Sequence, residues 1–264
     1  MNFFESLILG IVQGLTEFLP VSSSGHLLLI GYIFGNESSG DENLLFTIFV
    51  HLATAIATIY VFRKDVISLI KEFFKKDEST EKKFIINVLI SMLPAMIIGL
   101  AFENKISVMF ENNLFFVGLM LIITSIFLFY SDKKIDLKKK ITYRIALIIG
   151  VAQAIAIAPG ISRSGITIAC ALFIGISRKD SARFSFLMVV PLIIGSIFKI
   201  IIDYKQTIFE SIDPLNLSLG FFGALISGVF ACKLMMRLVQ NSKLKYFSMY
   251  CFSIGLIAII LKWI

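Results

Sequence analysis

The sequence predicts an all-α polytopic membrane protein, with six transmembrane helices plus two re-entrant helical hairpins in an inverted-topology repeat. Three observations predict it. Apolar runs recur along all 264 residues, which are 57% hydrophobic and only 16% charged, against about 25% charged in a soluble domain. The mean hydropathy is accordingly high, at +0.89. The loops between runs are either rich or poor in Lys and Arg. Two polar stretches broken by Pro and Gly repeat 140 residues apart.

The elements follow in chain order. Residues 3–34 open on an apolar leg, break at FLPVSSSGH and close on the short leg HLLLIGYIF. Pro and Gly interrupt a helix there. The second leg is too short to cross a bilayer, which takes about 20 residues. This segment is read as a re-entrant hairpin, a form tolerated at membrane depth only where protein or a water-filled cavity surrounds it. Spans are expected at 44–62, 84–102 and 114–130. Residues 145–175 repeat the hairpin, with APGISRSG followed by ITIACALFI, and spans at 184–202, 217–236 and 246–264 complete the chain. The whole is read as one integral membrane domain, 1–264, with repeat 1 at roughly 1–140 and repeat 2 at roughly 141–264. The alternating pattern of a membrane β-barrel is absent. With no basic segment ahead of the first apolar run, no cleavable signal peptide is expected. Cys170, Cys232 and Cys251 lie scattered in apolar runs, as buried small residues rather than disulfide or zinc partners.

Charge sets the topology. Lys and Arg number seven in 63–83, six in 131–144, three in 176–183 and three in 237–245. Segment 35–43 has none, 103–113 has only Lys105 and 203–216 has only Lys205. Two re-entrant hairpins put every basic loop on one side, the cytoplasm by the positive-inside rule, and both termini outside. Runs such as KEFFKK and DLKKK are then solvated faces near anionic lipid heads. The net charge of +7 belongs to these loops, and no nucleic-acid partner is expected.

Shifted by 140 residues, Gly10, Gln13, Ser22, Ser24, Gly25 and Gly35 match Gly150, Gln153, Ser162, Ser164, Gly165 and Gly175. Three spans separate the hairpins, so the second enters from the opposite face, and broken segments at matching positions point to a site near the midplane. Close helix packing accounts for single Gly and Ser residues here. It does not account for the differences. Glu17 aligns with Ile157, His26 with Ile166 and Ser23 with Arg163, so one tip is acidic and the other cationic.

Ionisable groups at membrane depth cost about 2.5–3.5 kcal/mol on insertion scales, which makes Glu17 and Arg163 candidates for function, or else a structural ion pair between the tips. Gln13 and Glu17 share a helix face and suit a cation or a water. Ser23 and His26, three apart, suit a nucleophile and its base. His26 also suits a plain polar helix start, and Ser22 or Ser24 a helix N-cap. In PGISRSGIT, the N–H groups of a helix start around Gly160 and Gly165, together with the Arg163 guanidinium, make an anion cradle. Ser162, Ser164 and Thr167 add hydroxyls. His51, in FVHLATAIAT, is read as structural. No zinc-type spacing occurs. A hard cation held by Glu17 and phosphate oxygens would need none.

QGLTEFLPVSSSGH followed by PGISRSGIT resembles the undecaprenyl-diphosphate phosphatase family, also called the bacitracin-resistance proteins, along essentially the whole chain. The resemblance implies an enzyme of the bacterial cell membrane, with its site opening to the outer face. It would hydrolyse undecaprenyl diphosphate to the monophosphate and inorganic phosphate. That step recycles the lipid carrier of peptidoglycan synthesis and confers resistance to bacitracin, which competes by binding the substrate. It implies activation by Mg2+ or Ca2+. It places the glutamate motif on Gln13 and Glu17, the serine and histidine on Ser23 and His26, and the arginine motif on Ser162, Arg163 and Thr167. Many members carry Glu where this chain has Gln13, which keeps a carbonyl ligand and loses a charge. On this reading Arg163 stabilises the transferring phosphoryl group, and a cation near Glu17 neutralises further charge. Ser23 or a water attacks with His26 as base, or His26 attacks directly. A lipid-facing groove takes the polyprenyl tail, and an oligomer is allowed. The competing class is a secondary transporter or flippase for an anionic or lipid-phosphate substrate, since inverted repeats with broken helices are common among carriers. A structural scaffold would not need Glu17 and Arg163.

Overall fold

The computed structural model of the chain describes residues 1–35, 40–75, 79–102, 113–133, 137–203, 213–241 and 243–263. Among these residues the chain folds as eleven α-helices. They are α1 Phe3–Phe18, α2 Ser23–Ile33, α3 Gly40–Val61, α4 Arg63–Phe73, α5 Thr80–Ala101, α6 Leu114–Asp132, α7 Tyr143–Ile155, α8 Arg163–Ile174, α9 Arg178–Asp203, α10 Pro214–Gln240 and α11 Leu244–Leu261. The extended structure described is one isolated bridge, Lys139 to Ile176.

Local chemistry sets the helix ends. Asn2 and Glu5 form a reciprocal capping box at the start of α1. That helix stops at Phe18 because Leu19 precedes Pro20 and is extended. Ser79, Thr142 and Asp213 cap α5, α7 and α10 with side-chain oxygens, and Pro214 opens α10. Gly175 ends α8 in the left-handed region at φ +97°.

Helices α5, α6, α9 through Phe198, α10 and α11 are each long and apolar enough to cross a membrane. Residues 45–61 and α4 pass the same test together but bend by 82°. The chain is therefore a multi-pass membrane protein, with five such helices among the described residues, or six if the bent pair is one span. Helices α1, α2, α7 and α8 have 16, 11, 13 and 12 residues. None reaches the length of a bilayer crossing.

One element departs from the expected loops. The basic segment after the first span begins with α4, which turns sharply at Phe62 and leaves Ile67, Ile70, Phe73 and Phe74 exposed. Its apolar residues recur at helical spacing among Lys64, Lys71 and Lys75, the pattern of a helix lying at a membrane surface rather than a solvated loop. The other expected connections are only partly described. Lys105 and Lys205, Lys76 of KEFFKK and Asp136 of DLKKK, with segments 36–39, 103–112 and 204–212, lie outside the described residues.

The packing exchanges partners between the halves. Helix α1 packs chiefly on α10, and α7 on α5, while α6 packs on α11. Small residues allow this. A Cβ at Gly10 would stand 2.2 Å from the Gly220 carbonyl oxygen, and one at Gly150 would stand 2.5 Å from that of Ser91. Without water to drive them together, membrane helices associate by such close packing.

Asp132 ties three elements at one end of the bundle. Its Oδ1 accepts from Arg178 Nη1 at 3.3 Å and from the Leu244 N–H at 3.2 Å, and its Oδ2 accepts from the Lys245 N–H at 3.4 Å. It thus caps α11 and pairs the start of α9. Replacing Asp132 by Ala removes the ion pair with Arg178, whose Nη2 keeps its 2.8 Å bond to the backbone carbonyl at that position, and leaves two helix N–H groups without their acceptor. The expected cost is about 1–3 kcal/mol, read as a lower Tm of the detergent-solubilised protein with the helix content kept.

Candidate active site

The two broken segments meet. The first, 19–22, joins α1 to α2, and the second, 156–162, joins α7 to α8. Each is closed by a serine cap. Ser22 Oγ accepts from the Gly25 N–H at 3.2 Å, and Ser162 Oγ accepts from the Gly165 N–H at 3.1 Å. Ser24 and Ser164 hydroxyls each lie 3.3 Å from their cap hydroxyl. The same four-residue pattern thus builds the same serine cap twice, on different backbones, with φ +70° at Ser22 and −77° at Ser162. The tips touch where Ser164 Oγ donates to the Leu19 carbonyl at 3.4 Å. Thr124 Oγ1 of α6 receives the Ser162 N–H at 3.0 Å and anchors the second turn.

Glu17 is the hub. It sits one residue before the end of α1 with a side chain only 5% exposed. Arg163, the first residue of α8, donates from Nη2 to Glu17 Oε1. On the other oxygen, Oε2, Ser23 Oγ donates at 2.7 Å and Gln13 Nε2 at 3.0 Å. His51 Nε2, from α3, stands 3.8 Å from the same Oε2. A lone carboxylate at this depth would be costly, and its desolvation is offset by a guanidinium and two neutral donors. The carboxylate and guanidinium that the sequence placed on opposite tips form one ion pair.

The remaining residues divide between the site and its frame. The Ser23 hydroxyl goes to Glu17 rather than to His26. His26 instead uses both ring nitrogens elsewhere, with Nδ1 2.8 Å from the Ser22 carbonyl and Nε2 2.8 Å from the Tyr250 hydroxyl of α11. Ser22 and Ser162 serve as caps. Thr167 Oγ1 donates to the Arg163 carbonyl at 2.8 Å and lies 2.7 Å from Ser185 Oγ, so its hydroxyl is taken inside the fold. The Gly165 N–H, expected in an anion cradle, is held by Ser162. Gly160 has φ +94° and lies against Val117 of α6. Beside the ion pair a narrow cleft reaches Thr54, Thr58, Ser164 and Ser185, with about 10 Å³ of interior, room for one water.

Two neighbours were not singled out as functional from sequence. His51 Nδ1 lies 2.7 Å from the Thr47 carbonyl. A carbonyl only accepts, so Nδ1 carries the proton and Nε2 faces Glu17. Tyr250 meets His26 across 224 positions of sequence. Neither lies in a motif, and no local spacing marks them.

A family profile described as bacitracin resistance protein BacA matches residues 6–257. Among curated relatives named undecaprenyl-diphosphatase, one from Christiangramia forsetii is 49% identical over 263 residues, covering 100% of this chain and 99% of the relative. Another, from Bacteroides fragilis, is 44% identical and covers 99% of each. A relative of the same name from Methanococcus vannielii is 39% identical over 97% of this chain and 98% of its own length.

Proposed function

The chain belongs to the bacitracin resistance protein family, and from that premise we propose how its site acts. The protein is a membrane hydrolase that cleaves undecaprenyl diphosphate to undecaprenyl phosphate and inorganic phosphate. The observation that carries the site assignment is the meeting of both hairpin tips on one carboxylate, with Arg163 on Oε1 and Ser23 and Gln13 on Oε2 of Glu17. Relatives with this name extend over nearly the whole chain, and the carrier alternative has no observation of its own.

Diphosphate oxygens draw the Arg163 guanidinium away from Glu17, because a fork of N–H donors matches phosphate as well as carboxylate. The guanidinium then faces the charge that spreads over the transferring phosphoryl oxygens. The attacking oxygen is Ser23 Oγ or a water in the cleft. The Ser23 proton already points at Glu17 Oε2, so the carboxylate orients the hydroxyl. The terminal phosphorus gains a bond to that oxygen, whose proton passes to Glu17 Oε2, and loses its bond to the bridging oxygen, whose electron pair leaves on the lipid monophosphate. Where Ser23 attacks, a water then displaces Ser23 Oγ from the phosphoserine and releases inorganic phosphate.

The donor set suits a hard divalent cation. Gln13 is buried, and its Oε1 has no hydrogen-bond partner among the described residues. Glu17 and the Gln13 carbonyl would hold Mg2+ or Ca2+, which when bound neutralises diphosphate charge. Among the described residues no three His, Cys, Asp or Glu side chains cluster as a metal site, so substrate oxygens would complete the shell.

In the membrane we place repeat 1 at 1–140 and repeat 2 at 141–264, inverted, with hairpins 3–34 and 145–175 re-entrant. Both termini and the site mouth face outward across the bacterial cell membrane. The short helices α1, α2, α7 and α8 and the exchange of packing partners support this. Recycling of the carrier for peptidoglycan synthesis, and resistance to bacitracin through competition for the diphosphate, follow from the reaction.

The test is phosphate release by purified protein from a long-chain polyprenyl diphosphate, with Mg2+ or Ca2+ and with chelator. Release should need the cation. Glu17→Ala should lower it by about 10²–10³-fold, the loss expected when a site's charge organiser is removed. No release from well-folded protein under either cation would sink the reading.

A further inference from the structure

We propose that Tyr250 is the positioning residue of His26. Its phenol hydroxyl holds Nε2 of an imidazole whose Nδ1 the Ser22 carbonyl fixes as the protonated nitrogen, and so sets the orientation of the ring. This rests on the hydrolase reading above.

His26 is 7% exposed and lies in the first turn of α2. Nδ1 faces the Ser22 carbonyl at 2.8 Å, one turn back on its own helix. A carbonyl oxygen only accepts, so Nδ1 carries a proton and cannot serve as base or nucleophile while that bond stands. In the neutral ring Nε2 is then the lone-pair nitrogen, and it receives the Tyr250 hydroxyl at 2.8 Å. The two rings lie nearly parallel, 6° apart in plane with centroids 5.6 Å apart. The phenol therefore aligns with the imidazole edge rather than crossing it.

Tyr250 itself is 43% exposed. It stands between the buried imidazole and the outside of the bundle, and its hydroxyl can turn away without opening the core. Helix α11 also touches the turn between the legs of the first hairpin, since Cys251 Sγ lies 3.4 Å from the Pro20 carbonyl oxygen. The residue next to Tyr250 thus anchors α11 to the segment that carries His26. The hydrogen bond made by one ring nitrogen decides whether the other is available. While the Ser22 bond stands, Nε2 is the nitrogen left for any step His26 carries, and Tyr250 is the group that holds it.

The experiment compares Tyr250→Phe and Tyr250→Ala with wild type. It measures phosphate release from a long-chain polyprenyl diphosphate, and nitrogen NMR of protein labelled in the histidine rings. The chain has two histidines, so His51→Gln assigns the signals. Tyr250→Phe keeps the ring and loses the hydroxyl. It should lower kcat/KM by about tenfold, the size of one hydrogen-bonded partner lost from a buried group. The His26 Nε2 signal should move toward that of an unbonded nitrogen while Nδ1 stays protonated. Tyr250→Ala should lower activity further, with Nδ1 still protonated against the Ser22 carbonyl. A Tyr250→Phe enzyme with wild-type kcat/KM overturns the proposal alone, as does lost activity with an unmoved Nε2 signal, which would mark a structural role. A wild type that releases no phosphate overturns this and the hydrolase reading together.

Discussion

Arg163→Lys is expected to lower kcat/KM by about 10²–10³-fold while leaving the folded protein nearly as stable as wild type. The two halves of that expectation have different causes. Stability depends on a cation opposite Glu17, whose side chain is 5% exposed against 20% for Arg163. Lysine supplies that charge. Catalysis depends on a planar fork that can pass from a carboxylate to a diphosphate and hold two of its oxygens at once. An ammonium is a point charge and does neither as well. Arg163→Ala removes both. It strands the Glu17 carboxylate in the bundle, at about 3–5 kcal/mol for breaking a buried pair, and should lower the Tm as well as the activity. Paired thermal unfolding and phosphate-release assays separate the two effects. A lysine variant with wild-type kcat/KM would show that charge alone suffices and that the fork has no part in the reaction.

Gly160→Val is expected to destabilise the fold by about 2–5 kcal/mol, enough to lose most of the detergent-stable protein. The sequence placed Gly160 beside the substrate, where a small residue lets an anion approach the backbone. The structure gives it a packing reason too. Its φ of +94° is one that side chains with a Cβ avoid. A Cβ there would stand 2.5 Å from the Val117 carbonyl oxygen and 2.9 Å from Met120 Cβ. The obstacle includes the backbone of α6, so it cannot rotate aside. Gly160→Ala discriminates the two reasons. If substrate approach were its sole role, the variant would keep its Tm and raise KM. If the turn itself needs glycine, the Tm falls first, and that is the result expected.

Much of the frame was legible because it is local. Pro20 before a serine run, and Gly160 before another, mark the hairpin breaks at the right residues. Of Ser22 and Ser24, either of which suits a helix cap, Ser22 is the cap, and Ser162, expected to offer its hydroxyl to an anion, caps α8 in the same way. Long apolar runs announce α5, α6, α9, α10 and α11. The 82° turn at Phe62 was not legible, because Arg63 and the lysines after it resemble a loop until the spacing of Ile67, Ile70 and Phe73 is set on a helix. Nor was the partner of Ser23. It stands three positions before His26, but as the first residue of α2 it reaches back to the end of α1.

The sequence by itself determined that this is a multi-pass helical membrane protein with two broken, serine-capped segments, one acidic and one cationic. Those properties follow from hydrophobicity, helix-breaking residues and charge, which act over a few neighbouring positions. Only the tertiary structure decided that Glu17 and Arg163 share one ion pair, that His51 faces the same carboxylate, and that Tyr250 holds His26. These contacts join residues from 34 to 224 positions apart. Their geometry is set by which helices small residues allow to approach, and no local pattern records that choice.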